Sequence, residues 1–249
     1  MSERLPTRTA SFMRLRQEGR SEEVVRRLGE VIELGLFEQG EQLPSEAELA
    51  QQFGVATVTL REALSHLRQR GLIETRRGRN GGSFVRGVVE TPEHILYERL
   101  MAWTPAELRD LGDEHRAISG AAARLAAQRS CPDHHARLEH YVQAMAQADS
   151  RLARRRADAR FHIEVAVAAQ SVRLTRAELQ LQAEVGELLW LNAPGQPSLA
   201  EVVAQHRAIS QAIAAGDAAL AGQLAEQHIA RAITGLVDVH LQNLAQQAN

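Results

Sequence analysis

The chain has 249 residues, of which 44% are hydrophobic and 24% are charged, with a formal net charge of -2. This composition indicates a soluble globular protein of about two domains and excludes a disordered chain. It has a single cysteine, no apolar run of the roughly 18 to 20 residues that a membrane helix needs, and no signal-peptide pattern, so we expect a cytoplasmic protein without a membrane partner.

The N-terminal part begins with an arm and two predicted helices. Residues 1–20 show no periodicity and are expected to be flexible. From Ser21, apolar residues recur at spacings of three and four, which predicts a helix. A second helix is predicted from Glu46 to Phe53, because Ser45 and Glu48 form the S-x-x-E capping box and Gly54 can end it.

A third helix and a β-hairpin follow. The helix is predicted from Thr59 to Arg70, before Gly71. Two short β-type runs, Leu72–Thr75 and Ser83–Val85, flank a glycine-rich turn. Three helices and a hairpin are the plan of a winged helix-turn-helix, which we assign to residues 21–87.

Beyond about Gly87 the chain is expected to be entirely helical. Capping boxes at Thr104 and Ser198, and further start signals at Pro132, Asp149 and Asp217, predict six or seven helices. We expect them to form an antiparallel bundle over residues 92–245. The predicted fold class is therefore mainly α, with an N-terminal winged helix-turn-helix and a C-terminal all-α bundle.

The third helix has a polar face suited to DNA. Leu60, Leu64 and Leu67 share one face, whereas polar residues share another, and residues 54–86 hold seven arginines against two acidic residues, a local charge of +5. Any one of these residues can equally belong to a solvated surface, but together they favour double-stranded DNA as a partner. The predicted DNA-binding residues are Ser45, Thr57, Thr59, Arg61, Ser65 and Arg68, and in the wing Arg76, Arg77, Arg79 and Asn80.

The same region resembles the DNA-binding domain of the GntR family of bacterial regulators. The resemblance rests on Leu43-Pro44-Ser45-Glu46, Phe53-Gly54-Val55, Leu60-Arg61-Glu62-Ala63-Leu64 and Gly71-Leu72-Ile73. It implies that Arg61 and the wing tip contact operator DNA. The chain departs from the family at Ala56-Thr57, where members commonly have Ser-Arg, which leaves the operator sequence open.

Four polar residues of the second half lie on otherwise apolar helical stripes. Asp158 and His162 are one turn apart, while His206 and His228 each share a face with aliphatic residues. For any single histidine, a core imidazole bonded to a backbone carbonyl is the alternative. One carboxylate and three imidazoles also suit one divalent transition metal ion, so we consider zinc first, with nickel or manganese possible.

Residues 92–245 resemble the FCD effector domain of the FadR-like branch of the same family. The motifs are Asp158-Ala159-Arg160-Phe161-His162, Gln205-His206-Arg207 and His228-Ile229. The resemblance implies that these four polar residues bind one metal ion and that a small carboxylate binds beside it. The expected effector residues are His115 and Ser171, which stand where members have Arg and Asn, and the adjacent Arg116.

These expectations describe a transcription regulator rather than an enzyme. We expect a homodimer that binds a palindromic operator, with an affinity set by a small-molecule effector, an organic acid by resemblance. Two alternatives remain at this point. The metal can be purely structural, or the second domain can be a metal-dependent hydrolase, because an ion held by Asp and His can activate water.

Overall fold

The computed structural model describes residues 19–247, and the chain divides into two compact units between Val89 and Glu90. The first unit contains helices α1 (Arg20–Glu33), α2 (Glu46–Phe53) and α3 (Thr57–Gln69), then strands β1 (Ile73–Arg76) and β2 (Gly82–Val85). The second contains α4 (Glu93–Met101), α5 (Pro105–Arg129), α6 (Pro132–Ala146), α7 (Arg151–Ala168), α8 (Val172–Glu184), a 3₁₀ turn (Leu188–Trp190), α9 (Leu199–Ala214) and α10 (Ala218–Gln247).

The first unit is a winged helix-turn-helix. Its helices bury one aliphatic face each, with Leu28, Leu49 and Leu60 fully inaccessible to solvent. Removing such side chains from water stabilises a domain by about 1.5–3 kcal/mol each. The turn between α2 and α3 depends on Gly54, whose φ of 66° lies in the left-handed region that glycine adopts without a steric penalty.

The two strands of the wing are joined by a third segment, the residues just before α2. β1 pairs antiparallel with β2, with Ile73 opposite Val85 and Arg76 opposite Gly82. Gln42 forms a bridge with Phe84 on the other side of β2, and Leu43 N donates to Ser83 O at 2.9 Å. The segment before α2 therefore anchors the hairpin, a contact that the sequence pattern did not predict.

The second unit is an antiparallel all-α bundle, in which α5 and α10 share an extensive interface and α6 packs on α7. Gly112 permits the close approach of α10, since a Cβ there would lie 2.7 Å from Ile233 Cγ2. The fold class predicted from the sequence is confirmed. None of the helices in residues 19–247 combines the length and apolarity required to cross a bilayer.

Two helices begin one or two residues away from their predicted starts. α3 begins at Thr57 rather than Thr59, because Ala56 takes the extended N-cap conformation without a side-chain cap that could mark it in the sequence. α7 begins at Arg151, with Ser150 and not Asp149 as its cap. The arm predicted for residues 1–20 lies, up to residue 18, outside the described residues, and Arg20 already belongs to α1.

Candidate functional site

The polar face of α3 is accessible. Leu60, Ala63, Leu64 and Leu67 are buried on the inner side, while Thr57, Arg61 and Arg68 are exposed and Thr59 and Ser65 are half-buried. The side chain of Arg61 has an exposed fraction of 68%. The residues predicted to meet DNA on this helix therefore lie outside the hydrophobic core, as a groove contact requires.

Polar contacts hold this face in place. Arg61 Nε lies 2.7 Å from Glu46 Oε2 on α2, and Arg68 Nη1 donates to Thr75 Oγ1 at 3.3 Å. Ser45 is used as the N-cap of α2, where its Oγ accepts from Glu48 N at 3.3 Å. Its side chain is exposed, so the capping role and a contact to phosphate are compatible.

The wing presents four exposed polar side chains, Arg76, Arg77, Arg79 and Asn80. The Arg76 guanidinium stacks over Phe84 at 4.2 Å from the ring centroid. Val58, which no sequence pattern singled out, is 73% exposed at the first turn of α3. An apolar side chain at this position can contact a thymine methyl group.

In the second unit, α7, α9 and α10 bring Asp158, His162, His206 and His228 together. Each is buried, and their ligand atoms lie within 4.8 Å of one another. His228 Nε2 is 3.2 Å from His162 Nε2 and 3.1 Å from His206 Nε2. Asp158 Oδ1 is 3.4 Å from His206 Nε2 and 3.7 Å from His162 Nε2.

These distances fit donors that share one ion. Ligand atoms at about 2.0–2.1 Å from a zinc ion lie about 3.3–3.4 Å apart in a tetrahedral arrangement and about 2.8–3.0 Å apart when adjacent in an octahedral one. The Nε2 atoms of His162 and His206 both lie 3.1–3.2 Å from that of His228, which is a poor hydrogen-bonding arrangement among neutral imidazoles, since each carries one N–H. The donor set therefore fits a divalent cation.

Neighbouring side chains orient these donors. His228 Nδ1 lies 2.7 Å from Gln205 Oε1, an acceptor, so His228 carries its proton on Nδ1 and presents a bare Nε2 to the cluster. The Phe161 ring stacks on His206, with centroids 4.1 Å apart and an interplanar angle of 8°. Trp190 Nε1 donates to Asp158 Oδ2 at 3.3 Å. No sequence pattern singled out Trp190 as a partner of Asp158.

The electrostatics keep two of the imidazoles neutral, those of His206 and His228. Burial lowers the pKa of His206 and of His228 well below the usual histidine value, and the charges of neighbouring histidines lower both further. Burial raises the pKa of Asp158, while His162 opposes that shift. Two of the imidazoles are therefore in the form that metal binding needs.

A second buried polar group, missed in the sequence, lies beside this cluster. Glu178 on α8 is 1% exposed and accepts from His115 Nε2 at 3.1 Å, Ser119 Oγ at 2.9 Å and Gln182 Nε2 at 3.0 Å. Burial raises the pKa of Glu178, but the charge and hydrogen bond of His115 outweigh it and hold the pKa at about 2. We call Glu178, His115, Ser119 and Gln182 the Glu178 network.

Of the three residues expected near an effector, one joins this network. His115 is fully buried, with its ring centroid 6.2 Å from that of His162. Arg116 lies on the exposed side of α5 and pairs with Asp113 at 3.4 Å, because one helical step turns it about 100° from His115. Ser171 is the N-cap of α8, where its side chain accepts from Leu174 N.

A cavity of about 630 Å³ opens against Trp190. It is bordered by residues 90–93 at the start of the second unit, by Arg151 and Arg154 of α7, and by residues 189–193 and 196–199. Its volume is in the range of small-molecule pockets. The indole that touches Asp158 is thus also part of a cavity wall.

Two family models match the chain. The model described as bacterial regulatory proteins of the gntR family matches residues 20–85, and the FCD domain model matches residues 110–231. A protein of Mycobacterium gastri, assigned as the HTH-type transcriptional regulator RmpR, is 41% identical over 95% of this chain and 87% of its own. An Escherichia coli (strain K12) protein, assigned as the L-lactate dehydrogenase operon regulatory protein, is 32% identical over 80% of this chain and 79% of its own.

A solved structure supports the fold. The E. coli McbR/YncC structure aligns with a TM-score of 0.52 at 16% identity, over 88% of this chain and 98% of its own. At that identity the likeness concerns the fold alone. It agrees with a winged helix-turn-helix followed by an all-helical unit.

Proposed function

The chain belongs to the GntR family of bacterial transcription regulators and carries the FCD domain, and on that basis we propose that it is a homodimeric, metal-dependent sensor of an organic acid. The families and relatives that it matches are transcription regulators and not enzymes. In this proposal its affinity for a palindromic DNA operator in the cytoplasm changes when the acid binds beside the metal.

The observation that carries the proposal is the convergence of Asp158, His162, His206 and His228 in a buried cluster. Zinc is the first candidate for the ion, and nickel or manganese are alternatives, since availability selects among metals with similar preferences. A divalent ion held there supplies positive charge and open coordination positions for a carboxylate oxygen. Gln205, Phe161 and Trp190 support the site by fixing the orientation of three ligands.

The proposed effector class rests on this donor set and on one relative. The E. coli relative takes its name from an operon for L-lactate dehydrogenase, an enzyme of a small organic acid. We assign His115 to the effector side of the cluster, because its ring neighbours that of His162. Arg116 is exposed and Ser171 caps a helix, so their proposed contribution to effector binding rests on the family resemblance alone.

The proposed DNA interface consists of the polar face of α3 and the wing. Arg61 is assigned to base recognition in the major groove, and the wing arginines to phosphate or the minor groove. One short recognition helix offers few contacts, so we propose that two chains bind two half-sites of a two-fold symmetric operator.

Contacts inside the second unit offer a route from the metal cluster to the interdomain segment. Trp190, which holds Asp158, lies in the 3₁₀ turn directly after Glu187. Glu187 in turn accepts a hydrogen bond from Arg99 Nη1 at 2.8 Å, and although burial raises the pKa of Glu187, the neighbouring Thr91, Arg155 and Arg99 outweigh burial and lower it. A shift of Asp158 on ligand binding would therefore reach residue 91 through a single turn of chain.

The same segment is also fastened to α7, the helix of Asp158 and His162. Arg151 donates to Thr91 O and lies 3.2 Å from Glu90 Oε1, and Glu90 Oε2 accepts from Leu152 N at 3.0 Å. The first unit is joined to the chain directly before Glu90. We propose that effector binding alters how these contacts hold residues 90–91, and so alters operator affinity.

The test measures DNA affinity with and without metal and acid. A duplex selected from a random pool by the purified protein serves as operator, and fluorescence anisotropy gives Kd for zinc-loaded and metal-free protein with a panel of small organic acids. We expect at least one acid to change Kd by about 5- to 150-fold, the usual range of allosteric coupling, only in the zinc-loaded protein. An equal response in the metal-free protein, or failure to enrich any duplex, would contradict the proposal. No response to any acid in the zinc-loaded protein would favour a structural metal instead.

A further inference from the structure

The first turn of α3 carries an aliphatic side chain that the fold does not bury. Val58 is 73% exposed, and its neighbours Ala56 and Thr57 are exposed as well. Counting about 100° per residue, Val58 lies about 180° around the helix from Leu67, which is buried in the core of the first unit. The Val58 side chain therefore points away from the core, and the folding of the unit gains little from it.

The same turn is also built from residues that do not favour a helix. Thr57, Val58 and Thr59 are consecutive β-branched residues, which are weaker helix formers than alanine because their side chains lose rotamer freedom in a helix. No side chain caps α3 at Ala56 to compensate for this. Helix stability does not account for this run, whereas a contact with a partner does.

The surroundings of Val58 indicate which partner covers it. Arg61, three residues further on and about 60° away around the helix, is 68% exposed, and residues 54–86 have a local charge of +5. The first turn of α3 contains no acidic residue that would neutralise the positive end of the helix dipole. These charges favour the DNA backbone, and the N-terminal residues of a recognition helix are the ones that contact base edges.

The major groove offers one group that fits an aliphatic side chain. A base pair presents hydrogen-bond donors and acceptors there, together with the C5 methyl group of thymine. Valine has no polar side-chain atom, so it gains free energy in the groove only by removing apolar surface from water. Val58 therefore suits a thymine better than any other base.

We propose that Val58 sets the operator preference at one base pair of each half-site by packing against the methyl group of a thymine, beside the base that Arg61 recognises. This inference rests on the proposed DNA interface. Burial of about one methyl group corresponds to a factor of about four in Kd for each half-site. For two half-sites of a symmetric operator the factor is about 15.

Uracil in place of thymine removes this methyl group and keeps the base pair, so it tests the contact directly. The operator is the duplex that the wild-type chain selects from a random pool. Each thymine is replaced in turn by uracil, at the symmetric positions of both half-sites, and fluorescence anisotropy gives Kd in the metal and acid conditions of the selection. For the wild type we expect a symmetric pair of thymines at which uracil weakens binding by about 15-fold.

Val58→Ala completes a double-mutant cycle with this DNA change. It should bind the unmodified operator more weakly by a similar factor, and uracil at the sensitive pair should then change its Kd by less than about twofold. Its unfolding temperature should not fall, because Val58 is exposed and alanine is the better helix former. Val89→Ala is the matched control: it makes the same change at an 86% exposed valine outside α3 and should keep the wild-type affinity and uracil response.

The outcomes are distinguishable from failure of the proposed function. If the chain enriches no duplex, the DNA interface itself is wrong and this inference fails with it. If the selected half-site contains no thymine that is sensitive to uracil, no methyl group is recognised. If a sensitive pair exists and stays equally sensitive in Val58→Ala, Val58 does not recognise it, and groove shape or another side chain accounts for the effect.

Discussion

Replacement of Arg61 by alanine tests the DNA interface. Loss of one bidentate arginine–guanine contact costs about 1–3 kcal/mol, and two half-sites of a dimer double this to about 2–6 kcal/mol. Since about 1.4 kcal/mol corresponds to a factor of ten, operator affinity should fall by more than tenfold. The fold should survive, because Arg61 is 68% exposed and its ion pair with the 43% exposed Glu46 contributes about 0–1 kcal/mol.

The assay is fluorescence anisotropy on a duplex selected by the wild type, together with thermal unfolding of each protein. Arg70→Ala is the matched control: Arg70 follows α3 at its C-cap, is about half exposed and pairs with Glu33 at 2.8 Å. We expect its operator affinity to stay close to that of the wild type. If Arg61→Ala binds the selected duplex as tightly as Arg70→Ala does, α3 does not dock through this face.

Three further predictions concern signalling, pH and assembly. Trp190→Phe removes the hydrogen bond to Asp158 Oδ2 and should weaken zinc binding by about tenfold, as loss of a residue that supports a metal ligand does. At saturating zinc it should also abolish the DNA response to the acid, while operator affinity without the acid stays unchanged. A normal response in the anisotropy assay would refute the route through the 3₁₀ turn. The metal-free protein should lose stability as pH falls below about 6.5, because His206 and His228 are protonated in the unfolded chain but stay neutral when buried. The loss is about 1.4 kcal/mol per pH unit for each imidazole, and the raised pKa of Asp158 acts in the opposite direction. Urea unfolding at pH 7.5, 6.0 and 5.0 measures the stability, and an unchanged stability across this range would contradict the prediction. Sedimentation velocity at micromolar concentration should give a dimer of 27.5-kDa chains, and a monomer with and without DNA would exclude the proposed assembly.

Local signals in the sequence predicted much of the fold. The bounds Glu46–Phe53 of α2 match the prediction, because the capping box and Gly54 both act within a few residues of the helix. The start of α3 was missed, since Ala56 carries no side chain that can cap it. The bridge of Gln42 to Phe84 depends on a pairing between segments about 40 residues apart, which no local pattern reveals.

The metal cluster could be predicted from the sequence, whereas the Glu178 network could not. A polar residue on an otherwise apolar helical stripe can be recognised in the sequence, and this pattern identified Asp158, His162, His206 and His228. Their roles stay predictions. Glu178 lies with Thr175 and Gln182 on a buried face of α8 that is itself largely polar. Polar spacing of this kind resembles a solvated surface, and its burial depends on His115 and Ser119, about 60 residues away. A Glu and a Gln one turn apart were the available signal.

Metal content tests the central claim, that the cluster of Asp158 and three histidines holds one divalent ion. Wild type, the double variant His206→Ala/His228→Ala and the control His94→Ala/His140→Ala, which removes two exposed histidines of the same unit, are supplied with zinc, desalted and analysed by mass spectrometry. We expect about one ion per chain in wild type and control and a small fraction of that in the double variant. Equal metal content in all three proteins, or none in the wild type, would contradict the account.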